Sequence, residues 1–537
     1  MSTRFTRRLF LLSTALSFVA CSLPPNGSLA KGEGGDERRP NVLLIMADDM
    51  GYSDLGCYGG EIETPNVDKL ADHGLRFTQH YSAARCWPSR ACILTGYYAQ
   101  QIRRDSMPGI RTGNRPAWAP LLPEMLAPCE YRAYHSGKWH IDETPKQGGF
   151  DRSWGWHKHG CDWDRFFASK PWTEGKYSAP VKEGEPYYST VAIADHAIAC
   201  MKLHEEEYPE KPFFQYVAFF CPHFPLHAMQ KDIDRYRNRY KVGWDVVRNN
   251  RLKRMREMGV LDCELSELET ETIPPWNLDA AELEAIYGDG AVGRAVAWET
   301  ISQEEKEFQA KKMAIHAAMV TRMDMEIGRL IEQLKSMGEY ENTLILVVSD
   351  NGASAEQINR GDKHDQEASL GSAGSYVCLG PGWSTAANTP LRLHKHWTHE
   401  GGAASPLIVH WPKGIEGQGE LRHDPTHFID IVPTVLELAG CESDKEQPGL
   451  SLVRAFEEND AVNHDYLWWC HAGNKAIRRG DWKLVAGKGR TEGRWELFNL
   501  ENDRGEQHDL ADQQPEVVEQ LKTKWNAVGD EFRKKLK

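Results

Sequence analysis

Side chains that suit a hard cation follow two of the most apolar segments of the sequence. Asp48 and Asp49 follow the run VLLIMA, and Asp350 and Asn351 follow the run TLILVVS. Carboxylate and amide oxygens suit Ca²⁺ or Mg²⁺, whereas Zn²⁺ prefers nitrogen or sulfur ligands. Each pair also has a plainer interpretation, which is a strand-end turn for the first and a type I′ turn ending at Gly352 for the second.

The most specific pattern in the sequence begins at Cys86. It reads Cys-Trp-Pro-Ser-Arg up to Arg90 and continues to Thr95-Gly96. Six fixed positions, each matched by chance about once in twenty, should recur by accident on the order of once in a hundred thousand such chains. A buried structural cysteine beside a helix start explains this pattern poorly. The pattern resembles the signature of the formylglycine-dependent (type I) sulfatases, and the chain is similar to bacterial arylsulfatases of the alkaline phosphatase superfamily.

Further matches to this family occur along the chain in the family's own order. They are Asp48-Asp49-Met50-Gly51-Tyr52, Thr64-Pro65-Asn66, Gly137-Lys138-Trp139-His140, Pro222-His223-Phe224-Pro225, Asp350-Asn351-Gly352, and Lys395 five residues before Glu400-Gly401-Gly402. The segments 231–261 and 390–412 also resemble bacterial arylsulfatases.

The resemblance implies a specific chemistry at Cys86. A thiol attacks the sulfur of a sulfate ester poorly. Oxidation of Cys86 to 3-oxoalanine (formylglycine), followed by hydration, would place two hydroxyls on one carbon, of which one attacks sulfur and the other later expels sulfate. The conversion implies a partner, a formylglycine-generating or sulfatase-maturating enzyme. The resemblance also favours one Ca²⁺ per chain over Mg²⁺, and the expected metal-site residues are Asp48, Asp49, Cys86, Asp350 and Asn351.

The resemblance assigns the remaining catalytic residues as well. Arg90 would support the hydrated aldehyde, while Lys138 and Lys395 would hold sulfate oxygens. His140 would be the base that deprotonates the second hydroxyl, and His223 the acid near the leaving oxygen. A divalent ion and these three cations outweigh the three carboxylates, so a sulfate ester is attracted to a chain whose formal net charge is −14.

We therefore expect hydrolysis of a sulfate monoester, on a sulfated carbohydrate, with release of inorganic sulfate. One rival is a phosphonate monoester or phosphodiester hydrolase of the same superfamily, because such substrates carry the same single charge. Another is a non-catalytic binder of sulfated glycans, which the complete set of nucleophile, metal ligands and histidines argues against.

The elements that must position these residues are predicted from hydrophobic patterns. Continuous apolar runs near 42–47, 213–220 and 343–349 are typical of strands buried on both faces, and the pattern from Gln303 to Met337 predicts a long helix. Their alternation indicates an α/β sheet, in which ligands bind beyond the carboxyl ends of the strands. The resemblance implies an alkaline-phosphatase-like fold, with a large mixed sheet flanked by helices.

The C-terminal segment is expected to form a smaller antiparallel sheet plus a helix. A hairpin turning at Gly480-Asp481, a strand at 495–500 and an amphipathic helix at 516–537 are predicted. We place an export signal peptide at 1–30, the sulfatase catalytic domain at 31–450 and a C-terminal α+β subdomain at 451–537.

The N-terminus carries an export pattern. Arg4, Arg7 and Arg8 precede an apolar run that is too short to span a bilayer. We expect a periplasmic or secreted protein with no transmembrane span in the mature chain, although Cys21 leaves lipoprotein anchoring open. Removal of Cys21 leaves an odd number of cysteines, so one must remain unpaired.

Composition excludes other classes of protein. The 537 residues contain 64 Lys+Arg against 78 Asp+Glu, which argues against a general nucleic-acid binder. The basic stretch from Lys231 to Arg256 is interpreted as a solvated helical face. The Gly288–Gly293 match to a dinucleotide motif follows no strand and is interpreted as a loop. Aromatic residues of segment 154–172, beginning with Trp154, are predicted either to stack on sugar rings or to pack against the domain.

Overall fold

Residues 39–537 of the chain form one compact unit in the computed structural model. The residues that the structure describes are 38–156, 166–167, 173–174, 177–178, 187–359, 364–442, 446–488 and 493–536. The predicted signal segment 1–30 lies outside these ranges, so the structure does not test it. The domain boundary near residue 450 also stays a prediction.

Strands occupy the three apolar runs at 42–47, 213–220 and 343–349, and the structure adds strands that no apolar run predicted. In chain order, the strands are β1 (Asn41–Asp48), β2 (Leu75–Tyr81), β3 (Arg132–Lys138), β4 (Arg152–Trp156), β5 (Thr173–Glu174), β6 (Tyr177–Ser178), β7 (Phe213–Pro222), β8 (Thr343–Ser349), β9 (Ala404–His410), β10 (Glu420–Arg422), β11 (Thr426–His427), β12 (Leu467–His471), β13 (Asn474–Arg479), β14 (Trp482–Ala486) and β15 (Glu496–Asn499).

Helices separate most of these strands. They are α1 (Pro65–Asp72), α2 (Cys86–Thr95), α3 (Leu122–Leu126), α4 (Ser189–Glu207), α5 (Gln230–Ile233), α6 (Trp244–Glu257), α7 (Ala280–Tyr287), α8 (Gln303–Ser336), α9 (Pro381–Ala387), α10 (Glu400–Ala403), α11 (Ile431–Ala439) and α12 (Pro515–Lys535). The long helix α8 begins with a capping box, in which the Ser302 hydroxyl accepts from the Glu305 amide and the Glu305 carboxylate accepts from the Ser302 amide.

Nine strands form a mixed sheet in the order β10-β2-β9-β8-β1-β7-β3-β4, with β11 also paired to β2. The five strands from β8 to β4 in this order run parallel to one another, whereas β9 is antiparallel to both β8 and β2. The register sets Ala47 beside Ser349 and Asp48 beside Pro222. The carboxyl ends of β1, β7 and β8 therefore meet at one edge.

Successive side chains of the central strands point to opposite faces of this sheet, and both sets are apolar. Helices therefore cover both faces. Leu43 and Ile45 of β1 pack in the core that includes α4 and α8, while Val42 and Leu44 pack in a second core that includes α2 and α11. The predicted α/β fold, a large mixed sheet flanked by helices, is confirmed.

A separate four-stranded antiparallel sheet follows, in the order β12-β13-β14-β15, and α12 packs on it. The hairpin turns at Gly480-Asp481, as the sequence predicted. A buried charge cluster joins this sheet to the large one: Lys483 lies 2.8 Å from Glu400 and 3.0 Å from Glu506.

Two smaller predictions are tested by the described residues. The Gly288–Gly293 match follows α7, so the prediction that no strand precedes it is confirmed. Its first three residues form a short 3-10 helix rather than a loop. The solvated-face interpretation of the basic stretch is wrong for Arg248 and Arg251, which are buried. Arg251 faces inward because it pairs with Asp54 at 2.9 Å and with Glu61 at 2.8 Å.

Cysteine pairing and membrane segments can be assessed within the same ranges. Cys129 and Cys441 form a disulfide, whereas Cys86 is a thiol outside any disulfide. None of the helices in the described part of the chain combines the length and hydrophobicity needed to cross a bilayer.

Candidate active site

The predicted site residues converge at the carboxyl edge of the central parallel strands. Asp48 ends β1, Asp350 follows β8, His223 follows β7 and Lys138 ends β3. Their meeting is a consequence of topology, because parallel neighbours end at the same edge of a sheet. Gly137, just before Lys138, must be a glycine: a Cβ there would lie 2.0 Å from the Ala218 carbonyl oxygen of β7.

Cys86 is the first residue of α2 and is buried. The helix N-terminus favours negative charge because its first amide groups lack intrahelical partners. Ser89 holds the segment before the helix in place, since its hydroxyl accepts a hydrogen bond from the Ala83 amide at 2.9 Å. Arg90, one turn further along α2, is fully buried and points to the sheet edge.

Three buried ion pairs surround this edge, and each joins one predicted cation to one predicted carboxylate. Their members are Arg90 with Asp350 at 2.6 Å, Lys395 with Asp49 at 2.7 Å, and Lys138 with Asp48. All six side chains are 0–3% exposed. Pairing is what makes such burial tolerable, because an isolated buried charge carries a large desolvation penalty.

The donor atoms fit a divalent cation. Asp48 Oδ1 and Asn351 Oδ1 are buried and, among the described residues, have no hydrogen-bond partner. Asp48, Asp49 and His223 each offer a ligand atom, and these atoms lie within 4.8 Å of one another. Orphaned buried oxygens are costly unless a cation or a donor satisfies them. The arrangement therefore has the chemistry of a metal site. His223 lies at this site as well, although it was not among the predicted metal-site residues.

Burial and crowding shape the ionisation of the carboxylates. Burial, with the charges of Asp350 and Asp49, raises the pKa of Asp48 to about 7 against the attraction of Lys138. Burial likewise raises the pKa of Asp49, although Lys395 opposes the shift. The pKa of Asp350 is lowered, because three cations led by Arg90 outweigh the effect of its burial. A bound cation would favour the ionised form of all three.

Burial and nearby cations both affect the ionisation of the Cys86 thiol. Burial raises the pKa of its thiol, while Lys138, Lys395 and Arg85 act in the opposite direction. Burial lowers the pKa of Lys395, but Asp49 and Glu356 more than compensate and raise it above its usual value. The unmodified thiol is therefore neutral, and it sits among cations that would attract an anionic group.

The two predicted catalytic histidines occupy different positions. The His223 ring contacts the Phe224 carbonyl oxygen through Nδ1 at 2.6 Å, and its Nε2 lies 3.5 Å from Asp49. His140 has a positive φ of 61° and contacts the Trp87 ring edge-on at 5.7 Å between centroids. His223 thus lies at the carboxylates, while His140 lies against Trp87, the residue that follows Cys86.

Sequence reasoning missed two further charged residues. Arg85, which precedes Cys86, pairs with Glu356 at 2.6 Å, and Glu356 lies 3.7 Å from Lys395. Burial opposes ionisation of Glu356, but Arg85 and Lys395 hold its pKa at about 2. The position of Arg85 beside the motif was the available signal, whereas Glu356 belongs to no recognisable pattern.

The C-terminal sheet also reaches the site. Asn474, at the start of β13, donates to the His396 carbonyl oxygen at 3.0 Å. His396 is the neighbour of Lys395. His471, the last residue of β12, contacts the rings of Trp87 and His396 at 5.2 and 5.0 Å. No sequence pattern indicated that this sheet supplies contacts here.

The structure describes only part of the aromatic segment 154–172. Trp154 is buried and stacks on His196 at 5.7 Å, so it packs in the interior and cannot stack on a ligand. Residues 157–165 and 168–172 lie outside the described ranges, so the sugar-stacking interpretation of His157, His159, Trp163 and Trp172 is not tested.

Two family models match the chain. The model described as Sulfatase matches residues 40–441, and the model described as N-sulphoglucosamine sulphohydrolase, C-terminal, matches residues 392–531.

Individual proteins are similar over most of their length. An uncharacterized sulfatase of Schizosaccharomyces pombe is 30% identical over 93% of this chain and 94% of that protein. An arylsulfatase of Klebsiella aerogenes is 29% identical over 78% and 91%, and an N-acetylglucosamine-6-O-sulfatase of Bacteroides thetaiotaomicron is 26% identical over 94% and 86%. Among solved structures, Ps i-CgsB in complex with k-i-k-neocarrahexaose has a TM-score of 0.63 at 25% identity, covering 90% of this chain and 91% of that one.

Proposed function

Because the chain belongs to the sulfatase family and is a sulfuric ester hydrolase, we propose that its substrate is a sulfate monoester of a carbohydrate. We propose that a formylglycine derived from Cys86 and one bound Ca²⁺ take part in the reaction. The observation that carries this proposal is the position of Cys86, at the N-terminus of α2 and among the three buried ion pairs.

The cysteine-derived group would supply an oxygen nucleophile in place of a thiol that burial keeps neutral. Arg90 would orient it, because the guanidinium is fixed on the same helix by two contacts to Asp350, at 2.6 and 3.0 Å. Its rigidity follows from these two contacts, which share the Asp350 oxygen Oδ2, and from complete burial.

The lysines would bind the sulfate group. Lys138 and Lys395 enter from β3 and from the loop before α10, and both ammonium groups are buried. Their carboxylate partners Asp48 and Asp49 hold them in place until a sulfate ester supplies competing oxygens. A fixed, water-poor arrangement of cations stabilises negative charge more strongly than solvent does.

A metal at this edge would neutralise the carboxylates and polarise a sulfate oxygen. Asp48, Asp49, Asp350 and Asn351 would hold it through oxygen, which favours Ca²⁺ over Zn²⁺. His223 would donate a proton to the leaving oxygen, and His140 would remove a proton at Cys86.

The carbohydrate part of the proposal is supported by the relatives. The Bacteroides thetaiotaomicron protein is named for an N-acetylglucosamine 6-O-sulfate, and Ps i-CgsB was solved with an oligosaccharide. The proposal includes export through the segment 1–30 and conversion of Cys86 by a maturating enzyme.

The test is release of inorganic sulfate from defined sulfated mono- and oligosaccharides, with phosphonate monoesters and phosphodiesters as controls. Cys86→Ala should abolish release. Cys92→Ala is the matched control, because Cys92 is a buried thiol of the same helix and its truncation should leave turnover in place. In active enzyme, the tryptic peptide with Cys86 should be about 18 Da lighter than the unmodified peptide, as thiol-to-aldehyde conversion requires. Full activity with an unmodified Cys86, or faster cleavage of a phosphonate than of every sulfate ester, would refute the proposal.

A further inference from the structure

Trp276 combines an exposed side chain with an unfavourable backbone conformation. Its side chain is 59% exposed, the largest value among the described large hydrophobic residues, and its φ is 66°. A bulky residue in the left-handed region is a genuine outlier, and such residues persist where the surrounding structure fixes them. Asn277 and Leu278 provide that fixation, through hydrogen bonds of 2.7 and 3.0 Å to the backbone of Gln357.

This anchoring places the Trp276 ring beside the catalytic motif. Gln357 follows Glu356, which pairs with Arg85, and the Arg85 guanidinium lies 5.0 Å from the Trp276 ring and 5.3 Å from the Trp87 ring. Arg85 and Trp87 flank Cys86 in the chain and are both partly exposed, whereas Cys86 itself is buried. The two indoles and the guanidinium between them therefore lie at the solvent side of the nucleophile.

The polar groups here are matched to a neutral ligand. Arg85 and Glu356 cancel each other's charge, so they add nothing to the attraction that the cations and the metal exert on one sulfate. Within the described residues, Arg85 Nε and His396 Nδ1 are buried without a hydrogen-bond partner, and the His396 ring lies 5.2 Å from Trp276. The exposed Trp276 ring suits the apolar C–H face of a sugar ring, and the partly exposed Arg85 guanidinium suits its hydroxyls.

We propose that Trp276 and Arg85 form a subsite for the neutral, hydroxyl-bearing sugar ring that carries the scissile sulfate. The inference rests on the proposed function and narrows its substrate class. A flat apolar alcohol, such as a sterol, is disfavoured here, because it would cover the partly exposed Arg85 guanidinium without offering it several hydroxyls.

The test compares three variants of the full-length matured enzyme on a monosulfated monosaccharide. Trp276→Ala removes the stacking face, Trp276→Phe keeps an aromatic ring, and Arg85→Lys keeps a charge for Glu356 but loses the guanidinium plane. Ile273→Ala is the control, because Ile273 is 52% exposed on the same loop. Inhibition by inorganic sulfate reports the sulfate site alone, so the ratio of KM to that inhibition constant isolates contacts with the sugar.

Loss of an aromatic contact should raise this ratio about three- to tenfold in Trp276→Ala. Arg85→Lys should raise it too, Trp276→Phe should fall between Trp276→Ala and wild type, and Ile273→Ala should match wild type. An equal ratio in Trp276→Ala and Ile273→Ala overturns the subsite while the sulfatase function stands. A wild-type enzyme that cleaves aryl sulfates but no sulfated sugar also overturns it, and a wild type inactive on every sulfate ester overturns the proposed function itself.

Discussion

Asn474 connects the C-terminal sheet to the loop that carries Lys395. The side chain is fully buried and makes three hydrogen bonds: Nδ2 donates to the carbonyl oxygens of His396 and His471 at 3.0 and 3.2 Å, and Oδ1 accepts from the Lys488 amide at 2.9 Å. His396 has a φ of 88°, so this loop has a backbone shape that other contacts must maintain. Asn474→Ala removes all three bonds at once.

The size of the effect follows from these contacts. A buried hydrogen bond contributes about 1 kcal/mol net, so the loss of three should lower the free energy of unfolding by about 3 kcal/mol. Two backbone hydrogen bonds still hold the loop, from Lys395 to Ala353 at 3.1 Å and from His396 to Ala84 at 2.8 Å. We therefore expect displacement rather than disorder, and a shift near 1 Å at a binding group reduces kcat/KM by up to about 100-fold.

Steady-state kinetics with an aryl sulfate, inhibition by inorganic sulfate and thermal unfolding together measure the effect. Asn474→Ala should raise KM and the sulfate inhibition constant as well as lower kcat, because Lys395 would contact sulfate in both the ground and transition states. Asn499→Ala is the control, since Asn499 lies in the same sheet and, within the described residues, its side chain makes a single hydrogen bond, which it accepts from the Glu501 amide. Reduced Tm with unchanged kinetic constants would show that Asn474 stabilises the fold without positioning Lys395.

Three further outcomes are expected. Chelation should abolish activity, Ca²⁺ should restore it better than Zn²⁺ because the proposed ligands are oxygens, and Asp350→Ala should behave like the chelated enzyme; equal rescue with bound zinc would contradict this ligand set. Burial opposes ionisation of Glu400, but cations led by Lys483 hold its pKa at about 2, below the usual 4.5. Its contribution to stability is thus present above pH 4.5 and lost as the pH falls toward 2, and Glu400→Gln, followed by unfolding free energies from pH 7 to 3, should show lower stability at pH 7 and a shallower acid decline. His223→Ala should slow poor alcohol leaving groups more than activated phenols, while His140→Ala should give a burst of product and then near silence; equal slowing of both substrates without a burst would refute these roles.

The sheet could be predicted because its strands are buried on both faces. Such strands appear in the sequence as continuous apolar runs. The observed β8 coincides with its predicted run, and β1 and β7 extend theirs by two residues each. Helix α8 was equally clear, since its apolar positions repeat at helical spacing over many turns. The inward turn of Arg251 could not be predicted, because a basic residue on a helix is usually solvated and its partners Asp54 and Glu61 lie nearly two hundred positions away.

The convergence of the motif residues has the same physical origin. Asp48, Asp350 and Lys138 stand at or just after the ends of parallel strands, so once the sheet order is given their proximity follows from topology alone. Glu356 lies on a connection without periodicity and Asn474 is the first residue of β13, and the contacts of both depend on how separate parts of the chain meet. Such tertiary contacts cannot be predicted from a single sequence.

The sulfate site and the proposed sugar subsite depend on different parts of the fold. Asp48, Asp350 and Lys138 are positioned by the sheet. Trp276 and Arg85, in contrast, are brought together by a loop between helices and by the residue before the helix of the nucleophile. Loops tolerate substitution and insertion better than the strands they connect. Changes confined to residues 261–279 could therefore alter the sugar that is recognised while the sulfate site stays intact, so exchange of this loop should change KM across a panel of sulfated sugars without changing inhibition by inorganic sulfate.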